Sequence, residues 1–220
     1  MSGQARSAGT QTESAGAHAR FGGACNAELC LRTRAWQEAI CLTRHGARAG
    51  LVSQLTGLEK FVANRLYRQL HGRPSPPGQL PFADTWYLKQ ERRMAQATLV
   101  WQLSRRFAES RATPAQRLID VYECYRWLVP EPLLDIMRVA FVPHLVVVQD
   151  WEAQTCGRCG IAYVAPTGSV GNTCWGCRRY LRHRCRHCGA PLTVRPTGRQ
   201  RDVCTACQRS RHGLSFRTWP

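Results

Sequence analysis

Acidic residues are scarce in this chain: 14 Asp and Glu stand against 31 Lys and Arg over 220 residues, a formal charge of +17. Such a field repels cations and draws in phosphates, so a polyanionic partner is expected. The shortage is sharpest from Trp151 to Pro220, where there is no Lys and only two acids, Glu152 and Asp202, against 12 Arg, a net +10. The first 150 residues carry the remaining +7. Long apolar runs are also missing. The opening MSGQARSAGTQTESAGAHARFGG has no stretch of the kind a secretory leader uses, and nothing approaches membrane-spanning length, which predicts a cytoplasmic protein with no membrane partner. There is no Gly-rich phosphate loop, no connected Ser/His/Asp set and no carboxylate cluster. Asp84, Glu91, Asp120, Glu123 and Asp135 are scattered along the chain, so the chain is not expected to be an enzyme.

A hydrophobic content of 44% is enough for a core. The pattern predicts a mostly α protein: a disordered extension over 1–34, a helical domain over 35–150, and two small cysteine modules over 151–180 and 181–220, the second with a tail. In the helical domain AWQEAICLTRHG places Trp36, Ile40 and Thr43 on one face. Two helices follow, ARAGLVSQLTG and GLEKFVANRLYRQLHG, broken at Thr56-Gly57. The second sets Leu58, Phe61, Val62, Leu66 and Leu70 at helical spacing, with Lys60, Asn64, Arg65 and Arg68 on other faces. Over 47–71 this is the layout of a helix-turn-helix, whose second helix offers polar side chains to a DNA groove; helical hairpins that never touch DNA share it. Prolines make 72–84 an extended loop. One helix is predicted from Thr85 to Ala108, another from Thr113-Pro114, a cap followed by a first-turn proline, and a third over EPLLDIMRVAFV that stops at Pro143 and gives way to a strand in HLVVVQDW.

The cysteines carry the most specific pattern. Cys156-x2-Cys159, fourteen residues and Cys174-x2-Cys177 have the spacing of a four-thiolate zinc site. Two turns that each offer a pair of thiolates complete a tetrahedron and stand in for the core that so short a module cannot build. Four protein thiolates leave no open position, so the role is structural rather than catalytic. Cys185-x2-Cys188, fifteen residues and Cys204-x2-Cys207 repeat the unit, with Pro196-Thr197-Gly198 matching Pro166-Thr167-Gly168. One Zn(2+) per quartet is expected. Around them lie Arg178, Arg179, Arg182, Arg184, Arg186, Arg195, Arg199 and Arg201, side chains suited to bidentate contact with phosphate or guanine.

The run LTRHGARAGLVSQLTGLEKFVANRLYRQLHGRPSPPGQLPFADTWYL, followed by helices and the Cys156 to Cys177 quartet, resembles the FlhC family, the C subunit of the bacterial flagellar master transcriptional activator. The resemblance covers roughly residues 36 to 180. It implies a mostly helical protein with a C-terminal zinc ribbon, acting with FlhD subunits in a hetero-oligomer that binds promoter DNA and recruits RNA polymerase for class II flagellar genes. It also implies that Cys156, Cys159, Cys174 and Cys177 are the zinc ligands. The family pattern has one quartet and a shorter N-terminal segment, so this chain has the features of a divergent paralogue whose target genes and D-type partner are open. The reading from charge and cysteines alone leaves a second class standing, a zinc-ribbon protein that binds RNA or the ribosome; the lack of aromatic-studded strands counts against it.

Overall fold

The computed structural model describes residues 26–77, 83–192 and 202–211. Helix α1 (Ala27–Arg44) starts where the Asn26 side chain accepts the Glu28 N–H at 3.0 Å, satisfying a first-turn donor. It takes in residues 27–34, which composition assigned to a disordered extension; the cap and the helix-favouring Ala27, Glu28, Leu29, Leu31 and Arg32 carry it upstream of its packed part. Its buried face is Glu38, Ala39, Leu42 and Thr43, while Trp36 is 42% exposed rather than in the core. The buried Glu38 carboxylate accepts from Arg34 Nε and from the Thr113 hydroxyl, so its charge is paired where solvent is excluded.

Helices α2 (Ala49–Thr56) and α3 (Lys60–His71) are joined by three residues, with Ser53 Oγ donating to the Leu58 carbonyl at 2.6 Å across the corner. They bury Leu51 and Val52 on one side and Ala63, Leu66 and Tyr67 on the other. Phe61, placed on the apolar stripe by its spacing, is 65% exposed; the stripe that packs is rotated towards Ala63 and Tyr67.

The helix predicted from 85 to 108 is two. Gln90 takes an extended backbone (φ −146°, ψ 128°) between α4 (Thr85–Leu88) and α5 (Glu91–Ala108). Arg93 folds back across the break, 4.0 Å above the Trp86 ring and donating to its carbonyl. α6 (Pro114–Leu128) begins as its sequence predicts, with Thr113 Oγ1 accepting the Gln116 N–H at 3.0 Å. α7 (Ile136–Val147) runs through Pro143 instead of stopping there. An interior proline costs roughly 3 kcal/mol or more, and Val139, Val142 and Leu145, all 0% exposed on one face, offset it by burial. The strand expected in residues 144–151 accordingly starts only at Trp151: β1 (Trp151–Thr155) pairs antiparallel with β2 (Ala162–Pro166), Trp151 opposite Pro166 and Thr155 opposite Ala162. Two short helices, α8 (Trp175–Leu181) and α9 (Thr205–Arg211), complete the described elements.

α5 is the hub, packed against α4, α6, α7, α8 and β2. The β1–β2 hairpin and α8 are therefore part of the helical body. Trp151 is buried and donates from Nε1 to Asp84 Oδ2 at 3.0 Å. Gln102 Nε2 donates to the Ala162 carbonyl at 2.6 Å, Val164 N–H to Thr98 Oγ1 at 3.4 Å, and Trp175 Nε1 to the Val164 carbonyl at 2.8 Å. Arg182 of the segment after α8 reaches Glu91, the first residue of α5, at 2.7 Å.

Candidate metal centres and basic surface

Cys156 follows directly on β1. Its N–H donates to the Ile161 carbonyl at 3.0 Å, and its own carbonyl accepts the Gly160 N–H at 2.9 Å. This tight return needs a left-handed residue at 160, and Gly160 has φ 70°. The second pair comes from the start of α8: Cys174 is its cap, the Cys174 thiol accepting the Cys177 N–H at 3.4 Å, and the Cys174 N–H points at Cys156 Sγ at 3.2 Å. The four sulfurs lie within 4.8 Å of one another, with Cys159 and Cys174 at 3.7 Å. Tetrahedral zinc with bonds of about 2.3 Å sets sulfur–sulfur edges of about 3.8 Å, so the quartet fits the ion.

The second unit repeats the first bond for bond. Cys185 N–H donates to the Ala190 carbonyl at 2.8 Å and Gly189, at φ 73°, returns to the Cys185 carbonyl at 2.8 Å. Arg186 N–H to the Asp202 carbonyl (2.9 Å) is the counterpart of Gly157 N–H to the Asn172 carbonyl (2.7 Å). The Cys204 thiol accepts the Cys207 N–H at 3.4 Å, and Cys188 and Cys204 are 3.6 Å apart. The duplication seen in the spacing is thus a duplication of the hydrogen-bonded cage. What differs is the support. Among the described residues the hairpin is represented by one bridge, Arg184 opposite Pro191, and no hydrogen bond or ion pair ties 185–192 or 202–211 to helices α1–α7.

The cages also polarise their thiols. Amide donors from Cys188 and Cys204 pull Cys185 down to about 6. Burial pushes the Cys156 thiol up, but the N–H groups of Cys174, Cys159 and Arg158 together outweigh it and bring it to about 6. Cys177 is pushed up to about 12 by burial and by the thiol of Cys159, and Cys207 to about 12 by the thiols of Cys188 and Cys204. Each cage thus prepares one thiolate in advance of the ion.

The sequence-derived basic residues divide sharply. Lys60, Asn64, Arg65 and Arg68 are all exposed along α3, beside Phe61. Near the cysteines, Arg178 lies 4.7 Å over the Trp175 ring, Arg182 pairs with Glu91, Arg184 stacks 4.5 Å from Tyr180 and donates to the Gly189 carbonyl, and Arg186 pairs with Asp202 at 3.1 Å. All four of these arginines therefore have intramolecular work. Arg179 is exposed, and its guanidinium has no ion pair or hydrogen bond among the described residues. Arg195, Arg199 and Arg201 lie outside the described residues. Beside the cysteines, two further exposed cations lie outside that set: Arg158, inside the Cys156-Gly-Arg-Cys159 turn, and Arg209 on α9. A basic residue inside a Cys-x-x-Cys turn points outward by construction, so Arg158 was findable.

A family model described as flagellar transcriptional activator (FlhC) matches residues 27–182. The chain belongs to the FlhC family. Proteins named flagellar transcriptional regulator FlhC are similar to it: that of Sodalis glossinidius (strain morsitans) is 26% identical over 179 residues, covering 76% of this chain and 91% of that protein. That of Yersinia enterocolitica is 25% identical over 131 residues, 57% of this chain and 68% of its own length, and that of Variovorax paradoxus (strain S110) 27% over 133 residues, 59% and 66%. At such identities it is a divergent member of the family. Its class is transcription regulation for the flagellum rather than enzymatic turnover. The family match contains the first quartet and ends at residue 182, before Cys185. No helix among the described residues is long and apolar enough to cross a membrane.

Proposed function

We propose that the chain is a DNA-binding activator subunit that acts with an FlhD-type partner at flagellar promoters and recruits RNA polymerase there. The observation that carries this reading is the docking of the first cysteine unit on α5, which presents Arg158 and Arg179 as exposed cations on a fixed module of an FlhC-family chain. Phosphate contacts of this kind position a protein on duplex DNA, and the exposed Lys60, Asn64, Arg65 and Arg68 of α3 supply a second basic element. Cys156, Cys159, Cys174 and Cys177 would hold one zinc ion, and Cys185, Cys188, Cys204 and Cys207 another; bound, each closes its cage and does no chemistry. The second unit extends the footprint along the duplex through its arginines. An apolar cleft of about 670 Å³ between α2, α6 and α7, lined by Leu51, Leu55, Leu118, Val121 and Phe141, is suited to a helical partner.

Mobility shifts on flagellar promoter DNA, with and without FlhD and across a salt series, test the reading. The expected result is a shift whose log affinity falls linearly with log salt. No shift in either condition overturns it, and equal or tighter binding to structured RNA at matched salt replaces it with the RNA reading.

A further inference from the structure

A second kind of ligand cluster lies far from the cysteine units, where α1 packs on α6. Cys41 lies in the last turn of α1 and His45 is the residue that caps it, and Glu123 of α6 reaches both. His45 Nε2 is 3.1 Å from Glu123 Oε1, Cys41 Sγ is 4.0 Å from the same oxygen, and the three ligand atoms lie within 4.8 Å of one another. Bonds of about 2.3 Å to sulfur and about 2.1 Å to nitrogen and oxygen set tetrahedral edges of about 3.4–3.6 Å. That falls between the two observed separations, so small side-chain rotations seat an ion. Without a metal, His45 pairs with Glu123 and the Cys41 thiol donates a long hydrogen bond to the same oxygen; what goes beyond a pair is that three ligand types converge within 4.8 Å.

The surroundings favour a cation. The site sits at the carbonyl end of α1, the negative end of its dipole. Asp120, one turn before Glu123 on α6, adds a second carboxylate and is held by Gln116 Nε2 at 2.8 Å; Arg44 is the opposing charge. The Tyr122 ring meets His45 edge-on at 5.1 Å and fixes its plane. The side chains of His45 and Glu123 are 18% and 56% exposed, so solvent reaches the cluster from one side.

We propose that Cys41, His45 and Glu123 form a third metal site, for a borderline divalent ion of the zinc type, with one coordination position open to solvent. Thiolate, imidazole and carboxylate together select this class over calcium or magnesium. Entry of the ion displaces the Cys41 proton to solvent. Where the two quartets are closed by four thiolates, this site has an exchangeable position, and it clamps α1 to α6 by its occupancy.

The test uses the full chain already holding two zinc equivalents. Added zinc is counted after desalting, and cobalt(II) is titrated in parallel for its thiolate-to-metal charge-transfer band. A third equivalent is expected in the wild type and its loss in Glu123→Gln, His45→Gln and Cys41→Ser, with the first two equivalents retained. Glu123 is exposed, so Glu123→Gln leaves the fold intact, and any cobalt exchange into the quartets persists in that variant and is subtracted. A wild type that stops at two equivalents, or a third equivalent that survives all three substitutions, overturns the proposal.

Discussion

The two cysteine units share one cage but not one foundation, and this predicts unequal hold on zinc. In the first unit Trp151 and Val164, 1% and 0% exposed, pack into the helical core. Each such burial is worth about 2 kcal/mol, and neither depends on the metal. In the second, the buried members among the described residues are Cys185 and Val203, so ordering the chain must be driven largely by the ion itself. Some 4 kcal/mol of metal-independent support, at 1.4 kcal/mol per decade, corresponds to about a thousandfold tighter binding at the first quartet. Stepwise competition with a chromophoric chelator at neutral pH should therefore release zinc in two stages. Cys156→Ser and Cys185→Ser, each expected to hold one ion, assign the stages. If the ions leave together, or the ion at Cys185 outlasts the one at Cys156, the argument from packing is wrong.

Acidification should weaken both quartets. With Cys156 and Cys185 near 6, Cys177 and Cys207 near 12 and Cys174 pushed up by burial before the ion enters, binding at neutral pH expels protons, those of Cys177, Cys207 and Cys174 among them. Affinity therefore falls as pH drops and falls more steeply below about 6; calorimetry in buffers of different ionisation heat checks the proton count, and a pH-independent affinity would contradict it. On promoter DNA, Arg179→Ala should lower the salt slope by about 0.9, the contribution of one phosphate contact, while Arg182→Ala, whose guanidinium is engaged by Glu91, should leave the slope unchanged; the reverse pattern would reassign the two. Tyr125→Phe removes the hydroxyl that accepts the Leu134 N–H at 3.0 Å and donates to Gln96. Leu133 N–H keeps Gln96 Oε1 at 2.8 Å, so one buried donor is orphaned and unfolding should become easier by about 1–3 kcal/mol, measured by denaturant melts.

What the sequence made legible is what local chemistry dictates. Thr113-Pro114 announced a helix start, and the Cys-x-x-Cys pairs with their following glycines announced two cages. The misses share a cause: each was decided by a partner distant in the chain. Pro143 reads as a stop until Val139, Val142 and Leu145 are known to be buried together. Phe61 reads as core until α3 is seen to turn Ala63 and Tyr67 inward. The arginines look equivalent in the sequence, yet Arg182 meets a carboxylate 91 positions away and Arg179 meets none among the described residues. The Cys41, His45, Glu123 cluster was invisible because its carboxylate stood 78 residues from its imidazole.

Because Gln102, Thr98 and Trp175 fasten the first cysteine unit to the helices without a spacer, the exposed side of α3 and Arg179 keep one distance and one angle between them. A duplex that engages both is being measured. Inserting about five base pairs, half a helical turn, would carry one point of contact round to the far side of the double helix. If the proposed DNA contacts are made, the protein has no slack with which to follow, and promoter spacing becomes as much a determinant of recognition as base identity.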